Sequence, residues 1–555
     1  MSYDESNVEE NENIESPERR KIIKSTMLTF AALTAGSLSG VSQASELNSN
    51  TKQTSEQIPD VIIVGSGSAG SVLASRLTEK ADRQVLLLEA GHSYKPNNYP
   101  EELAKSDIVG ANRNPDVEWG YNTEPGYVGH PIGAIRGKVV GGSSAVNGAV
   151  AIRARPEDYK RWNLPGWSYE DMLPTFKNME NRTGGDDAIH GRSGPFPIRQ
   201  LTYNDITPMQ RAFMDATIAN GYKSVADFDG ANAHGVGPYP MNIVDGVRVN
   251  TGMAYLTDAV RARPNLTIQP DVMIDRVIFE GKRAVGVRLA NGTVLKAKEV
   301  ILSAGSYGSA AILLRSGVGP ASDLKALSIP VVADLPVGQN MVDHPFYYNA
   351  YAAKPDMVGA QSPVIGAKLW THSRTAAKGE LDLHITATHL FPHEQSPTKV
   401  GFVLAVALTR PESRGRVWLA SRDPMAAPKI DLNFLAAESD RIRLLDGIKL
   451  ARKIGKSAPL DKMIATELNP QPAAQSDEAL LASAKATLDT YHHPVATAPM
   501  GLRDNPIAVV DLQARVHGLT GLRVVDASIF PDAPSVATNV PTIAAAEHIA
   551  RHSYA

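Results

Sequence analysis

The sequence predicts an α/β chain, α+β overall: a Rossmann-like unit on a parallel sheet, joined to a discontinuous unit built on antiparallel strands. Three observations carry this. DVIIVGSGSAGSVLASRL (60–77) is a short apolar run, a glycine-rich turn and a helix in succession. QVLLLEAG (84–91) supplies a second apolar strand at the spacing of a βαβ unit. Much later, LDLHITATHL and VGFVLAVALT alternate as strands should when each face meets a different neighbour.

At 555 residues the chain exceeds the roughly 250–300 residues at which one core stops growing. At least two domains are therefore expected. Hydrophobic residues make up 43% and charged residues 21%, enough for ample core. A net charge of -3 gives no basic field for nucleic acid. With 0 cysteines, thiol catalysis, cysteine–zinc sites and disulfides are excluded, and no metal site is expected.

Residues 1–44 read as a polar, acidic, disordered tail followed by an export signal. Arg19 and Arg20 precede a weakly apolar stretch, about Met27 to Val41, and then the small-residue site Ser42-Gln43-Ala44. The stretch is too short and too rich in Gly, Ser and Thr to span a bilayer. ERRKIIK resembles the twin-arginine motif, which implies export of a folded protein to the periplasm. Residues 45–58 form a polar linker.

In the first strand–turn–helix, Gly65, Gly67 and Gly70 stand in GxGxxG spacing. Gly65 is expected to make the tight turn, Gly67 to let backbone approach a pyrophosphate, and Gly70 to let helix and strand pack closely. Glu89, ending the second strand, sits where an acidic residue binds adenosine ribose hydroxyls. A dinucleotide site follows; the βαβ unit alone leaves NAD and FAD open.

Two further segments decide. GKVVGGSSAVNGAVAIRARPEDYKRW (137–162) has the glycine pairs and small residues that let backbone lie against a flat ring system. EVILSAGSYGSAAILLRSGVGP (299–320) is a strand, a Ser-Ala-Gly turn and a leucine-rich helix ending at Gly317. Together they resemble the two signature motifs of the glucose–methanol–choline (GMC) oxidoreductase family. LPVGQNMVDHP, GLRVVDASIFP and SVATNVPTIAAAEHIA look like further landmarks. The resemblance runs from Pro59 to His552, nearest to the choline-dehydrogenase-like and hydroxymethylfurfural-oxidase-like branches.

The resemblance implies FAD. Gly65, Gly67, Ser68, Ala69, Gly70 and Glu89 would hold its ADP half, and Val272, placed in a strand TIQPDVMIDRVIF, would contact adenine through its backbone. Val140, Gly142 and Asn147 would line the ring system and ribityl chain. Ala304 and Gly305 would pass the adenosine side, Asp526 and Ala527 the pyrophosphate and ribityl region, and Asn539 and Val540 the pyrimidine edge. Some family members link FAD covalently through a histidine where this chain has Val146, so the flavin is expected to be non-covalent. The FAD-binding domain would comprise 59–165, 240–330 and 490–552, and the substrate-binding domain 166–239 and 331–489. TIQPDVMIDRVIFEG, KRAVGVRLANG and TVLKAKEVILSAG read as a β-meander turning at Asn291-Gly292, and a helix is expected from about Glu438 to Ile454.

YHHPVATAPMG (491–501) carries two adjacent histidines. Alcohol oxidation removes a hydride and a proton, and the proton needs a base of pKa near 6.5. Counting as the family motifs do, four residues back from Thr497 reaches His493 and three back from Thr542 reaches Asn539. His493 is thus the expected base and Asn539 its partner, with His492 a pocket or packing residue and His344 of VDHP structural. The implied function is oxidation of a small, primary alcohol to the aldehyde, with electrons passed to O2 or to a quinone or cytochrome. Three alternatives stay open: a hydroxynitrile lyase, a photodecarboxylase (whose cysteine is missing here), and a flavin binder without catalysis.

Overall fold

A computed structural model describes residues 58–554 of the chain. The expected tail, twin-arginine signal and most of the linker fall outside the described residues.

Four strands predicted by apolar runs meet a fifth in one parallel sheet. Its order is Leu522–Val524, Glu299–Leu302, Val61–Val64, Val85–Leu88, Leu266–Gln269, every neighbouring pair parallel. Val61–Val64 is central and buried throughout, which is why it reads as VIIV without alternation. The chain leaves it through Gly65, at φ +93, and enters the helix Gly70–Leu77. A Cβ on Gly70 would lie 1.8 Å from the Gly65 carbonyl oxygen, so helix and turn can touch only because residue 70 is glycine.

The expected meander forms from Ile274–Glu280, Arg283–Leu289 and Val294–Lys296. Two of the segments assigned to it are split, however. TIQ belongs to Leu266–Gln269 and EVIL to Glu299–Leu302, both in the parallel sheet. An apolar period does not reveal which sheet a strand joins; the partner strands decide. At Asn291-Gly292 only Gly292 has positive φ, and the Leu289 N–H donates to the Thr293 carbonyl.

The antiparallel sheet runs Ile464–Asn469, Pro345–Ala353, Gly401–Leu408, Leu383–Thr388, Ile365–Thr371, Gly235–Pro238, and Asp489–Thr490 pairs with the start of Pro345–Ala353. Register sets Phe346, Ala407 and His384 in one row and Tyr348, Ala405 and Thr386 in the next. That face looks toward the cavity described below. The helix Glu438–Gly455 covers the other face, where a Cβ on Gly447 would lie 2.5 Å from the Val406 side chain.

Beside this sheet lies a buried charge cluster. Arg182 pairs with Asp227 and Asp229, Arg153 with Glu180, and the two His190 ring nitrogens meet Glu180 (2.9 Å) and Asp227 (2.8 Å). Desolvation opposes a proton on His190, but the bonds to Asp227 and Glu180 prevail and raise its pKa above 6.5. A raised histidine stabilises the fold fully below its unfolded pKa and loses that contribution as pH rises through its folded pKa. His190→Gln should therefore destabilise by roughly 1.5–3 kcal/mol per charged bond lost, most strongly below pH 6.5, with a gap that narrows on alkalisation. Thermal unfolding of both proteins from pH 5.5 to 9 checks this; a gap independent of pH would refute it.

Candidate active site

Three helices begin on one cavity of about 1400 Å³. Gly70–Leu77 starts behind Ala69, Gly305–Arg315 behind Ala304, and Asn539–Tyr554 at Asn539 itself. Neither Ala69 nor Ala304 supplies a side-chain cap. The positive ends of three helix dipoles thus face the same space, which suits a diphosphate. The volume exceeds the roughly 300–1,000 Å³ of an ordinary ligand pocket, leaving room for a dinucleotide and a substrate.

Of the residues expected to hold the cofactor, Gly65, Gly67, Ser68, Ala69, Glu89, Gly142, Asn147, Val272, Ala304, Gly305, Asp526, Ala527 and Asn539 line the cavity. A Cβ on Gly305, at φ +76, would meet nothing within 4 Å, as a cradle awaiting a ligand requires. A Cβ on Gly142 would lie 2.7 Å from the Gly67 Cα, so the two glycine motifs touch backbone to backbone. The buried Glu89 carboxylate accepts from Ser66 N (2.8 Å), Ser66 Oγ (2.7 Å) and Gly91 N (2.9 Å), and burial raises its pKa. Asp526 takes Gly305 N (2.9 Å) and Ser309 Oγ (2.5 Å) on one oxygen and Ser528 on the other. It clamps the start of the Gly305 helix to the C-terminal segment.

Three of the expected residues lie off the wall. Gly70 is spent on packing against Gly65. Val140 is fully buried, its N–H given to the His92 carbonyl and its carbonyl bonded by Tyr99. Val540, in the first turn of its helix, turns into the core. Val272 lines the cavity but from the link between two strands, with its N–H donated to the Glu89 carbonyl; its amide is therefore taken.

His493 also opens on the cavity. Its Nδ1 lies 3.0 Å from His344 Nδ1, and its backbone N–H donates to Asp343 Oδ1 (2.8 Å). Asp343 further accepts from the His344 N–H and from Thr490 Oγ; burial pushes its pKa up to about 6. Burial, followed by the charges of His344, Arg136 and His492, holds His493 well below 6.5. Burial takes His344 down to about 3. His344 is thus neutral and carries one proton. The Nδ1–Nδ1 contact needs one donor; when the His344 proton sits on Nε2, His493 Nδ1–H donates and His493 Nε2 keeps its lone pair. The sequence reading gave His344 only a structural place; nothing in the one-dimensional pattern shows that it meets a histidine 149 positions away.

Asn539 is held just as specifically. Ser68 Oγ donates to its Oδ1 at 2.7 Å, and its Nδ2 is buried without a protein partner. The carboxamide therefore offers N–H to the cavity. Val146 stands on the wall at the end of the Gly142–Ala145 turn, packed among Tyr99, Leu103 and Ala111.

Room for a dinucleotide, three helix N-termini and an imidazole on one cavity fit a class, the FAD-dependent oxidoreductases acting on CH–OH donors. The family follows from the chain as a whole. It belongs to the GMC oxidoreductases, which it matches over residues 59–346 and 411–546. An oxygen-dependent choline dehydrogenase of Vibrio vulnificus is 35% identical over 530 residues, covering 89% of this chain and 94% of the relative. One from Chromohalobacter salexigens is 38% identical over 529 residues, covering 88% and 94%. The crystal structure of pyridoxine 4-oxidase from Mesorbium loti superposes with a TM-score of 0.82 at 31% identity, covering 89% of this chain and 99% of that one. The two-unit fold predicted from the sequence is the GMC fold, an FAD-binding domain with a substrate domain, and FAD-linked alcohol oxidation is the family's activity.

Valine has no atom that can bond the flavin, so acid precipitation of the holoprotein should leave free yellow flavin in the supernatant. Flavin retained in the pellet would overturn a non-covalent site.

Proposed function

We propose that this chain oxidises a small, primary alcohol to the aldehyde, with His493 as base and Asn539 as hydrogen-bond donor to the developing alkoxide. The observation that carries the reading is the pairing of His493 Nδ1 with His344 (3.0 Å), which leaves Nε2 open to the cavity that also receives the unpartnered Asn539 Nδ2. FAD, when bound, supplies the hydride acceptor. The chain's own residues do the rest. His493 Nε2 takes the hydroxyl proton, Asn539 Nδ2 holds the oxygen as charge develops on it, and the antiparallel sheet excludes water with Phe346, Tyr348 and Val403. Electrons would then pass to O2 or to a quinone or cytochrome.

The test is anaerobic mixing of holoenzyme with benzyl alcohol, 5-(hydroxymethyl)furfural, pyridoxine and choline chloride, followed by readmission of air. Loss of flavin absorbance with one of them supports the reading, and the speed of its return sorts oxidase from dehydrogenase. No bleaching with any of them would favour a member that uses flavin without alcohol oxidation.

The same proposal places the enzyme in the periplasm, on the strength of ERRKIIK. Among the described residues no helix is long and apolar enough to cross a membrane. Replacing Arg19 and Arg20 together by lysine should leave the precursor in the cytoplasm, loaded with FAD; undiminished export in that variant would refute twin-arginine targeting.

A further inference from the structure

We propose that Arg136 is a positioning residue for the base: it pins the strained turn at His492, so that His493 faces the cavity, and sets a fixed cation beside it. The inference rests on His493 being the base. Three observations lead to it.

The first is strain. His492 has φ +63, a left-handed conformation uncommon for any residue with a Cβ and kept only where the surroundings hold it. Three contacts hold this one. The His492 N–H donates to Thr490 Oγ (2.8 Å), the His493 N–H to Asp343 (2.8 Å), and Arg136 Nη1 donates to the His492 carbonyl (2.9 Å). Arg136 stands in the segment that leads into the GGSS turn, 356 residues away in the chain. It ties the turn before the base to the GGSS side of the cofactor cradle, as Ser306 Oγ, donating to the Pro494 carbonyl, ties the residue after it to the Gly305 side.

The second is a guanidinium with donors to spare. Among the described residues no carboxylate pairs with the Arg136 side chain, and its Nε and Nη2 are buried without a partner. Its guanidinium carbon instead sits 5.4 Å from the centre of the Tyr307 ring. Its charge acts on Asp343, the carboxylate that also accepts the His493 N–H, so one guanidinium bears on both the turn and the base.

The third is location. Arg136, Tyr307, His492 and His493 line one cavity. The groups that face or surround His493 are His344 and Asp343 at the edge of the antiparallel sheet, His384 within it, Tyr491 and His492 in its own segment, and Arg136. Of these Arg136 is the permanent cation, and it disfavours a second proton on His493.

The experiment compares R136K and R136M holoenzymes with wild type, with rates normalised to bound FAD. The probes are the four alcohols named above. R136M should reduce its flavin about 10–100-fold more slowly, the scale of a small misplacement of a reacting group, and the acid limb of its pH profile should move upward. R136K should keep the limb in place, because the charge remains, yet lose rate, because an ammonium does not reproduce the planar contact. A second measurement needs no substrate. In protein carrying ¹³C-histidine, with His493 assigned by its absence from H493A, the His493 pKa should rise in R136M and not in R136K. An unchanged pH profile and an unchanged His493 pKa in R136M would overturn the proposal, as would loss of FAD with normal reduction of what remains bound. If no probe bleaches wild-type flavin, the alcohol-oxidation reading fails, and the histidine titration still decides Arg136.

Discussion

His493→Ala should slow flavin reduction by about 10²–10⁴-fold, the usual worth of a general base, equivalent to roughly 3–5 kcal/mol of transition-state stabilisation. FAD content should hardly change, since His493 faces the substrate end of the chemistry and makes none of the cradle contacts. His492→Ala should cost far less. Its ring offers Nδ1 without a partner, but the contacts that fix the turn come from its backbone, which alanine keeps. The pH dependence gives a second handle. Because burial and the surrounding charges hold His493 well below 6.5, the base is unprotonated through neutral pH. Reduction should therefore stay flat there and fall only on acidification below 6.5, and His493→Ala should abolish that fall. The sequence alone suggested an ordinary histidine near 6.5; the correction comes from its burial. Anaerobic stopped-flow with one shared alcohol decides the matter. A slower His492→Ala than His493→Ala would exchange the roles of the pair.

Asn539→Ala should slow reduction by about 10²–10³-fold, the measured worth of one donor to a developing oxyanion. Asn539→Asp is the sharper variant. It keeps the size and can still accept from Ser68 Oγ, now 2.7 Å from Oδ1, yet it replaces the free N–H by a negative oxygen facing an incipient alkoxide. It should lose at least as much rate as alanine while retaining FAD. Ser68→Ala should cost about 5-fold, the scale of one neutral hydrogen bond near 1 kcal/mol, because it only releases the carboxamide to turn over. If Asn539→Asp reduces as fast as wild type, Asn539 is not a donor in the transition state, and its place at the cavity is explained by the Ser68 bond alone.

By itself the sequence determined the strand–turn–helix at 60–77 and, through motifs that resemble one family, the cofactor class; it also proposed His493 over its neighbour. These rest on short motifs: a glycine spacing, an apolar run and a count between motif residues are each written within a few positions of one another. It also determined Val146 where a linking histidine could stand, since one side chain settles that chemistry. Only the tertiary structure decided that Gly70, Val140 and Val540 serve packing rather than the cavity wall, because neighbours distant in sequence fill the space around each. It alone divided the strands of 265–302 between two sheets, since pairing is a choice of partner and leaves no mark on the period of a single strand. Above all it joined His344 and Arg136 to the site, and bonded Ser68, already expected in the cradle, to Asn539. Their bonds span 149, 356 and 471 residues, and a hydrogen bond depends on distance in space, which chain separation does not encode.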